Sequence, residues 1–337
     1  MAVLVTGGAG YIGSHTVYAL IENGYSGEVI IADNLSTGYH GAVHPDAKFY
    51  ELDIRDRGAL DKLFAKEDIT GVIHFAASSQ VGESMEKPLQ YYDNNLSGTR
   101  ILLEAMLAAG VKHIVFSSTA AVYGELTEMP IREDAPAHPS SCYGETKLAM
   151  EHMMAWVSGA HDLNYVALRY FNAAGAHPSG RIGEAHNPET HLIPLILQVP
   201  SGKRKTVSIF GEDYPTPDGT CVRDYIHVMD LADAHVKALD YLQAGGKSDV
   251  FNLGNGQGFS VREVIETARR VTGDAIPAEL APRRPGDPAE LVASSEKIKN
   301  ALAWKPQYEK LETIIQTAWQ WHKAYPNGFV GDEANEI

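Results

Sequence analysis

Cysteine is nearly absent. The 337 residues hold only Cys142 and Cys221, too few for a disulfide framework and without the spacing of a thiolate metal site. Cys142 beside Tyr143 reads as filler rather than as a nucleophile. Basic charge is also scarce: 28 Lys and Arg stand against 43 Asp and Glu, a formal charge of −15, which argues against nucleic-acid or anionic-membrane partners. No apolar run approaches the ~18 residues of a membrane span, and the first is broken by glycine after Thr6. Neither a leader nor a span is expected, and the expected address is cytoplasmic. The fourteen histidines are scattered without a His-x-x-x-His cluster, so no metal site is read. There is no internal repeat, and the final Asp332 to Ile337 is acidic and expected to fray.

What the chain does have is a glycine run, Gly7-Gly8-Ala9-Gly10-Tyr11-Ile12-Gly13, after the β-branched, apolar Met1 to Thr6 and before the helically periodic Tyr11 to Ile21. At such a strand-to-helix turn, Gly7 and Gly10 let the backbone approach a pyrophosphate. Gly13 lets helix pack closely on strand, and the helix N-terminus supplies N–H groups and dipole. A second strand, Glu28 to Ala32, ends in Asp33 about 20 residues after Gly13, where an acid grips the adenosine ribose. A carboxylate there repels a 2′-phosphate, so NAD is favoured over NADP.

Farther on, Ser-Cys-Tyr-Gly-Glu-Thr-Lys places Tyr143 and Lys147 four residues apart, on one helical face. A phenol titrates near pH ~10, and a neighbouring ammonium with an oxidised nicotinamide draws it toward working pH. Between these motifs short apolar runs alternate with helical patterns, which predicts a Rossmann-type, doubly wound parallel α/β sheet. Strands are expected near Lys48 to Leu52, Val72 to Ala76, His113 to Ser117 and Tyr165 to Leu168. Helices are expected over Leu96 to Ala109 and Tyr143 to Trp156. Ligands of such sheets bind beyond the carboxyl ends of the strands. Asp53, Phe75-Ala76-Ala77, Ser117-Ser118-Thr119 and Tyr170-Phe171-Asn172 therefore point to one crevice. After Asn172 the alternation loosens. The expected division is a cofactor domain over 1–172, with returning segments from about 222 to 258, and a smaller, interleaved α/β substrate lobe over 173–337.

From Met1 to about Trp319 the chain resembles the UDP-glucose 4-epimerases, the galactose-pathway branch of the extended short-chain dehydrogenase/reductase family. The resemblance is carried in order by His74-Phe75-Ala76-Ala77, Val81-Gly82-Glu83-Ser84, Tyr91-Tyr92-Asp93-Asn94-Asn95, Arg169-Tyr170-Phe171-Asn172, Asp213-Tyr214-Pro215-Thr216 and Val222-Arg223-Asp224-Tyr225-Ile226-His227-Val228. It implies NAD-dependent oxidation at sugar C4, rotation of the 4-keto intermediate, and re-reduction on the opposite face, interconverting UDP-galactose and UDP-glucose. Tyr143 would be the base. Lys147 would lower its pKa and hold the nicotinamide ribose, and Thr119 would hydrogen-bond the same sugar oxygen, unless its hydroxyl merely caps the backbone.

On the cofactor side the resemblance implies Tyr11-Ile12 at the pyrophosphate, Asp33-Asn34 at the ribose and Asp53-Ile54 at adenine. Phe75, Ala76, Ala77, Asn95, Ser117, Tyr170 and Phe171 would line the rest of the tightly bound, recycled NAD. On the substrate side it implies Arg223 and Arg284 as diphosphate clamps, with Asn172 beside them. Asp287 would meet the uridine ribose, Phe210 the nucleotide, His191-Leu192 would offer backbone contacts, and Tyr225 would line the site. A homodimer through Leu89 to Ala109 and Tyr143 to Trp156 is implied too.

Two departures stand out. Ser79 falls where some epimerases carry lysine, which puts cofactor retention in question. Leu291 falls at the sugar-pocket gate, tyrosine in some members, and would leave room for an N-acetyl group. The alternatives are a nucleotide-sugar dehydratase or decarboxylase and a non-catalytic NAD-sensing regulator. Dehydratases of this fold typically follow the threonine with Asp-Glu, where this chain has Ala120-Ala121. The intact Tyr143, Lys147 and Thr119 weigh against a regulator.

Overall fold

The computed structural model describes residues 1–284 and 287–329. The acidic end, Asp332 to Ile337, lies outside the described residues, as do Pro285 and Gly286 between Arg284 and Asp287.

Strands β1 (Ala2–Thr6), β2 (Glu28–Asp33), β3 (Lys48–Glu51), β4 (Ile69–His74), β5 (His113–Thr119) and β6 (Asn164–Tyr170) are followed by β7 (Asn172–Ala174), β8 (Val207–Phe210), β9 (Val222–His227) and β10 (Asp249–Leu253). The last three are β11 (Gly258–Ser260), β12 (Ala278–Ala281) and β13 (Glu290–Leu291). The helices are α1 (Tyr11–Glu22), α2 (Arg57–Lys66), α3 (Val81–Glu86), α4 (Pro88–Tyr91), α5 (Gly98–Ala109) and α6 (Cys142–Ala160). After them come α7 (Leu192–Leu197), α8 (Val228–Gln243), α9 (Val261–Thr272), α10 (Glu296–Leu302) and α11 (Leu311–Ala324).

Seven strands form one sheet in the order β10-β6-β5-β4-β1-β2-β3, every pair parallel. This is the doubly wound arrangement the alternation predicts, with its strand-order reversal beside β1. Buried parallel strands are apolar on both faces, and β1 shows how the two-residue period divides them. Ala2 and Leu4 join a core with Leu60, Leu103, Met106 and Met150 from α2, α5 and α6. Val3 and Val5 face the other way, toward Val17, Leu20, Leu231 and Leu239 of α1 and α8. Each such fully buried aliphatic side chain stabilises the fold by about 1.5–3 kcal/mol.

The expected elements shift at their ends for local reasons. β4 stops at His74 because Phe75 and Ala76 both donate their N–H groups to the Thr6 carbonyl, at 2.9 and 3.1 Å. The helix expected from Leu96 begins regularly only at Gly98, behind a π-helical turn over Tyr92–Ser97. α6 starts one residue early, at Cys142, where Ser141 accepts a hydrogen bond from the Gly144 N–H at 3.2 Å.

The remaining strands build the smaller lobe. β9 pairs with β7 and β13 in parallel and with β11 antiparallel, while β12 pairs with β8. A separate core of Ile193, Ile196, Ile209, Ile265, Ile314 and Ile315 joins α7, β8, α9 and α11. After β9 the chain returns to the large sheet through α8 and β10.

Candidate active site

At the carboxyl end of β1, Gly7 adopts φ +72°, and a Cβ there would lie 2.6 Å from the Ala76 amide nitrogen. A Cβ on Gly13 would come within 2.1 Å of the Gly7 carbonyl oxygen. Only glycine fits either position. Gly10 caps α1 without a side-chain hydrogen bond, so the first-turn N–H groups of Tyr11, Ile12 and Gly13 face outward toward an anion. Asp33 ends β2, and its carboxylate accepts from the Ala9 N–H at 3.0 Å and the Leu35 N–H at 2.8 Å. Burial raises its pKa. The cradle, its uncapped helix and the buried acid fit an adenine dinucleotide without a 2′-phosphate.

Next to it, Asp53 is occupied by protein. Arg55 grips both its oxygens, at 3.0 and 2.7 Å, and Asn34 donates to it at 3.0 Å. The guanidinium holds its carboxyl well below the usual range. Ile54, adjacent, packs on Gly98. Phe75-Ala76-Ala77 leave β4 beside the glycine loop, and Ser79, where the family offers a lysine, is exposed. The π-helical turn aims fully buried Asn95 inward. Its side chain accepts from the Ser78 N–H at 2.8 Å and donates to Thr146 at 3.1 Å.

Thr119 ends β5, and Tyr143 and Lys147 lie one turn apart on α6, all at most 9% exposed. The Tyr143 N–H donates to the Ser84 hydroxyl at 3.1 Å, which fixes the start of the helix. The Lys147 ammonium donates to the Ser117 carbonyl at 2.8 Å and lies 4.9 Å from the Phe116 ring centroid and 5.9 Å from that of Tyr143. The Ser117 hydroxyl pairs with Tyr170 from β6. Thr119 Oγ1 accepts from the Ala121 N–H at 3.1 Å, so the backbone cap and a free O–H coexist.

Burial sets the intrinsic electrostatics of this pair. Burial pushes the Tyr143 phenol up to about 12, with a Thr119 hydrogen bond drawing it back. Burial likewise pulls Lys147 down to about 7, against the opposing Glu151 carboxylate. Desolvation disfavours the charged form of each, the phenolate of one and the ammonium of the other.

The substrate-side residues are assembled by β9. Register places Leu291 of β13 opposite Arg223 and Asn172 of β7 opposite Tyr225. Arg223 donates to Asp287 Oδ1 at 3.0 Å and to the Pro288 carbonyl at 2.9 Å. Asn172 uses one N–H on the Asp224 carbonyl at 2.9 Å. The Arg284 guanidinium stacks 3.9 Å from the Phe210 ring centroid. Tyr225 is buried, and its phenol is raised by that burial. Leu291 and Phe171 pack against Val122 and Tyr123, just beyond Thr119.

The scattered histidines do converge at one place. Glu184, His186, Glu189 and His191 bring their donor atoms within 4.8 Å of one another. His191 Nδ1 lies 2.7 Å from Glu184 and 3.1 Å from Glu189, and His186 Nδ1 lies 2.9 Å from Glu184. These contacts are shorter than the roughly 3.3 Å edge of a tetrahedral zinc site, and they describe an ion-pair brace. Burial opposes ionisation, but the two imidazoles hold Glu184 ionised and the carboxylates raise His191. His191 caps α7, so the brace fixes the backbone leading into Leu192.

Ser84, Thr146 and Arg55 were not singled out from sequence. Thr146 beside Lys147, and Ser84 in the Val81-Gly82-Glu83-Ser84 block, were the available signals.

A family model described as "NAD dependent epimerase/dehydratase family" matches residues 3–254. The chain is 59% identical over 329 residues, 98% of each chain, to a UDP-glucose 4-epimerase from Halalkalibacterium halodurans. Among solved structures it is similar to the Brucella ovis UDP-glucose 4-epimerase in complex with NAD, with TM-score 0.92 and 46% identity over 94% of this chain and 97% of that one. It is also similar to the Bifidobacterium longum UDP-glucose 4-epimerase in complex with NAD+ and UDP, with TM-score 0.90 and 40% identity over 97% and 100%.

Proposed function

Because the chain belongs to the NAD dependent epimerase/dehydratase family, we propose that it interconverts UDP-galactose and UDP-glucose by oxidation and re-reduction at sugar C4. The observation that carries this reading is the placement of Tyr143, Lys147 and Thr119 at the ends of β5 and on α6. Thr119 lies at the carboxyl end of β5, the same end of the parallel sheet at which the glycine loop follows β1.

NAD, when bound, supplies the acceptor for the C4 hydride and its donor on return. The chain's own residues move the proton and hold the nucleotide. Tyr143, as phenolate, takes the 4-hydroxyl proton and later gives it back to the re-reduced oxygen. Burial holds the phenol high, and the positive charge of an oxidised nicotinamide would favour the phenolate. Thr119 keeps an O–H to donate to the same oxygen. Lys147, tied to the Ser117 carbonyl, forms with Tyr143 a two-rung ladder along α6 and fixes it to the end of β5. Arg223, Arg284, Asn172, Asp287, Tyr225 and Phe210 hold the uridine diphosphate, while the apolar flank of Leu291 leaves the sugar free to turn over. Ala120 and Ala121 offer no acid or base for eliminating water, which weighs against a dehydratase.

The proposal includes a cofactor lobe over 1–172 with a return through α8 and β10, supported by the pairing of β10 with β6, and a substrate lobe over the rest; of the return expected from about 222 to 258, β9 pairs instead within the smaller sheet. It includes a cytoplasmic address; no helix among the described residues is long and apolar enough to cross a membrane. It also includes a homodimer. Met85, Leu89 and Trp156, exposed by 60%, 82% and 81%, belong to α3, α4 and α6, which pack on one another.

The test is to supply UDP-galactose without added NAD, following sugar configuration by NMR and NADH by absorbance. UDP-glucose at many turnovers supports an epimerase that recycles its cofactor. NADH accumulating with an oxidised sugar overturns it in favour of a dehydrogenase.

A further inference from the structure

α6 carries a third buried polar residue in line with Tyr143 and Lys147. Glu151 lies one further turn along, at i+8 from the tyrosine, and is 4% exposed. A carboxylate that deep is costly unless it is paired and hydrogen-bonded. Its pairing is complete. Arg169, on β6 next to Tyr170, donates bidentately, Nε to Oε1 at 2.9 Å and Nη2 to Oε2 at 2.6 Å, and the Ser118 hydroxyl donates to Oε1. Arg169 in turn donates to the Tyr123 hydroxyl at 2.9 Å, which donates to Asn252 on β10 at 2.7 Å.

Each contact lands beside a residue of the proposed chemistry. Ser118 lies between Ser117, whose carbonyl takes the Lys147 ammonium, and Thr119. Arg169 precedes Tyr170, which pairs with the Ser117 hydroxyl. One carboxylate thus joins the catalytic helix to the ends of both strands that flank the crevice. We propose that Glu151 is a positioning residue for the reaction, holding the Tyr143–Lys147 edge of α6 in register with Ser118 and Arg169. The inference rests on the epimerase reading.

Glu151 also contributes charge. Its carboxylate opposes the loss of the Lys147 proton. Arg169 is held charged by Glu151 despite its burial. The titratable and charged groups around Tyr143 and Lys147 are His74 on β4 and Tyr170 and Arg169 on β6, with Tyr165 facing Glu151 and Tyr123 facing Arg169 and Glu133. Removing the carboxylate leaves a net positive charge beside the ladder; removing the guanidinium leaves a net negative one. Lys147, whose proton the Glu151 carboxylate helps to hold, then titrates lower in the first case and higher in the second.

The experiment uses the NAD-loaded enzyme. Glu151→Gln is expected to lower kcat about 10- to 100-fold through misplacement and to move the kcat–pH profile to lower pH. Arg169→Gln is expected to move it to higher pH, and the double variant to return it near the wild-type position with kcat still low. Profiles that stay in place, or move together, with an unchanged maximum overturn the proposal and leave Glu151 a stabilising residue. If the single variants do not fold, Glu151→Asp and Ser118→Ala keep the question open to measurement. A several-fold loss of kcat at unchanged KM and NAD content supports positioning, and wild-type kcat in both overturns it. Failure of the underlying reading shows instead as a wild-type enzyme that does not epimerise.

Discussion

The Arg223 guanidinium and the Asp287 carboxylate pair at 3.0 Å, the one a proposed grip for the diphosphate and the other for the uridine ribose. Each orients the other, and a charge-assisted contact of this kind is the sort that a diphosphate would strengthen at Arg223.

Arg223→Ala should therefore raise KM for the UDP-sugar about 10- to 100-fold, the worth of a charge-assisted hydrogen bond of ~1.5–3 kcal/mol, with little change in kcat. Initial rates over a range of UDP-galactose concentration check this. A fall in kcat at constant KM would remove Arg223 from the substrate clamp.

Tyr143→Phe should leave the fold and bound NAD in place and reduce turnover by about 10²–10⁴-fold, the usual share of a general base. Near-wild-type activity in that variant would refute the base assignment.

The Glu184–His191 brace predicts a pH signature in stability. His191 is raised from 6.5 to about 10, so its contribution is full below 6.5 and is lost as pH rises through 10. Glu184 is lowered from 4.5, so its contribution is full above 4.5 and is lost as pH falls below it. The Tm difference between wild type and His191→Asn should be largest between pH 4.5 and 6.5 and shrink toward pH 10. Its size is tempered because His191 is 52% exposed. A difference independent of pH would deny the pairing.

The apolar Leu291 gate predicts turnover of UDP-N-acetylgalactosamine, and Leu291→Tyr should suppress that activity more than it does UDP-galactose turnover, by about 1–3 kcal/mol. No turnover of the N-acetyl sugar by wild type, at enzyme levels that epimerise UDP-galactose, would end the idea.

Replacing Leu89 and Trp156 together by glutamate should convert a dimer to a monomer by light scattering. A wild type already monomeric at micromolar concentration would remove that face as an interface.

What could be read from sequence was local in character. Gly7, Gly13 and Asp33 announce themselves because a tight turn and one short strand fix their relation, and the spacing of Tyr143 and Lys147 needs only a helix. The α/β alternation likewise carried the large sheet. The Arg223–Asp287 contact spans 64 residues and depends on β9 gathering β7, β11 and β13, which no period in the sequence encodes. The brace of Glu184, His186, Glu189 and His191 lies on irregular backbone, where spacing predicts no shared face. How deeply Tyr143 and Lys147 are buried depends on the whole fold, whereas their proximity could be inferred from four residues.

The return of α8 and β10 to the large sheet has a bearing on how the molecule can be divided. Leu231, Ala234 and Leu239 of α8 cover Val115 and Val166 on one side of that sheet, and Phe251 and Leu253 extend it. A fragment ending at Asn172 would bare that surface to water, and one beginning at Ala173 would carry α8, β10 and α10 with no sheet to rest on. The two lobes are thus threaded through each other, and neither can be transplanted, expressed or exchanged as a cassette. Recombination between relatives would have to swap every crossing at once to leave a molecule able to fold.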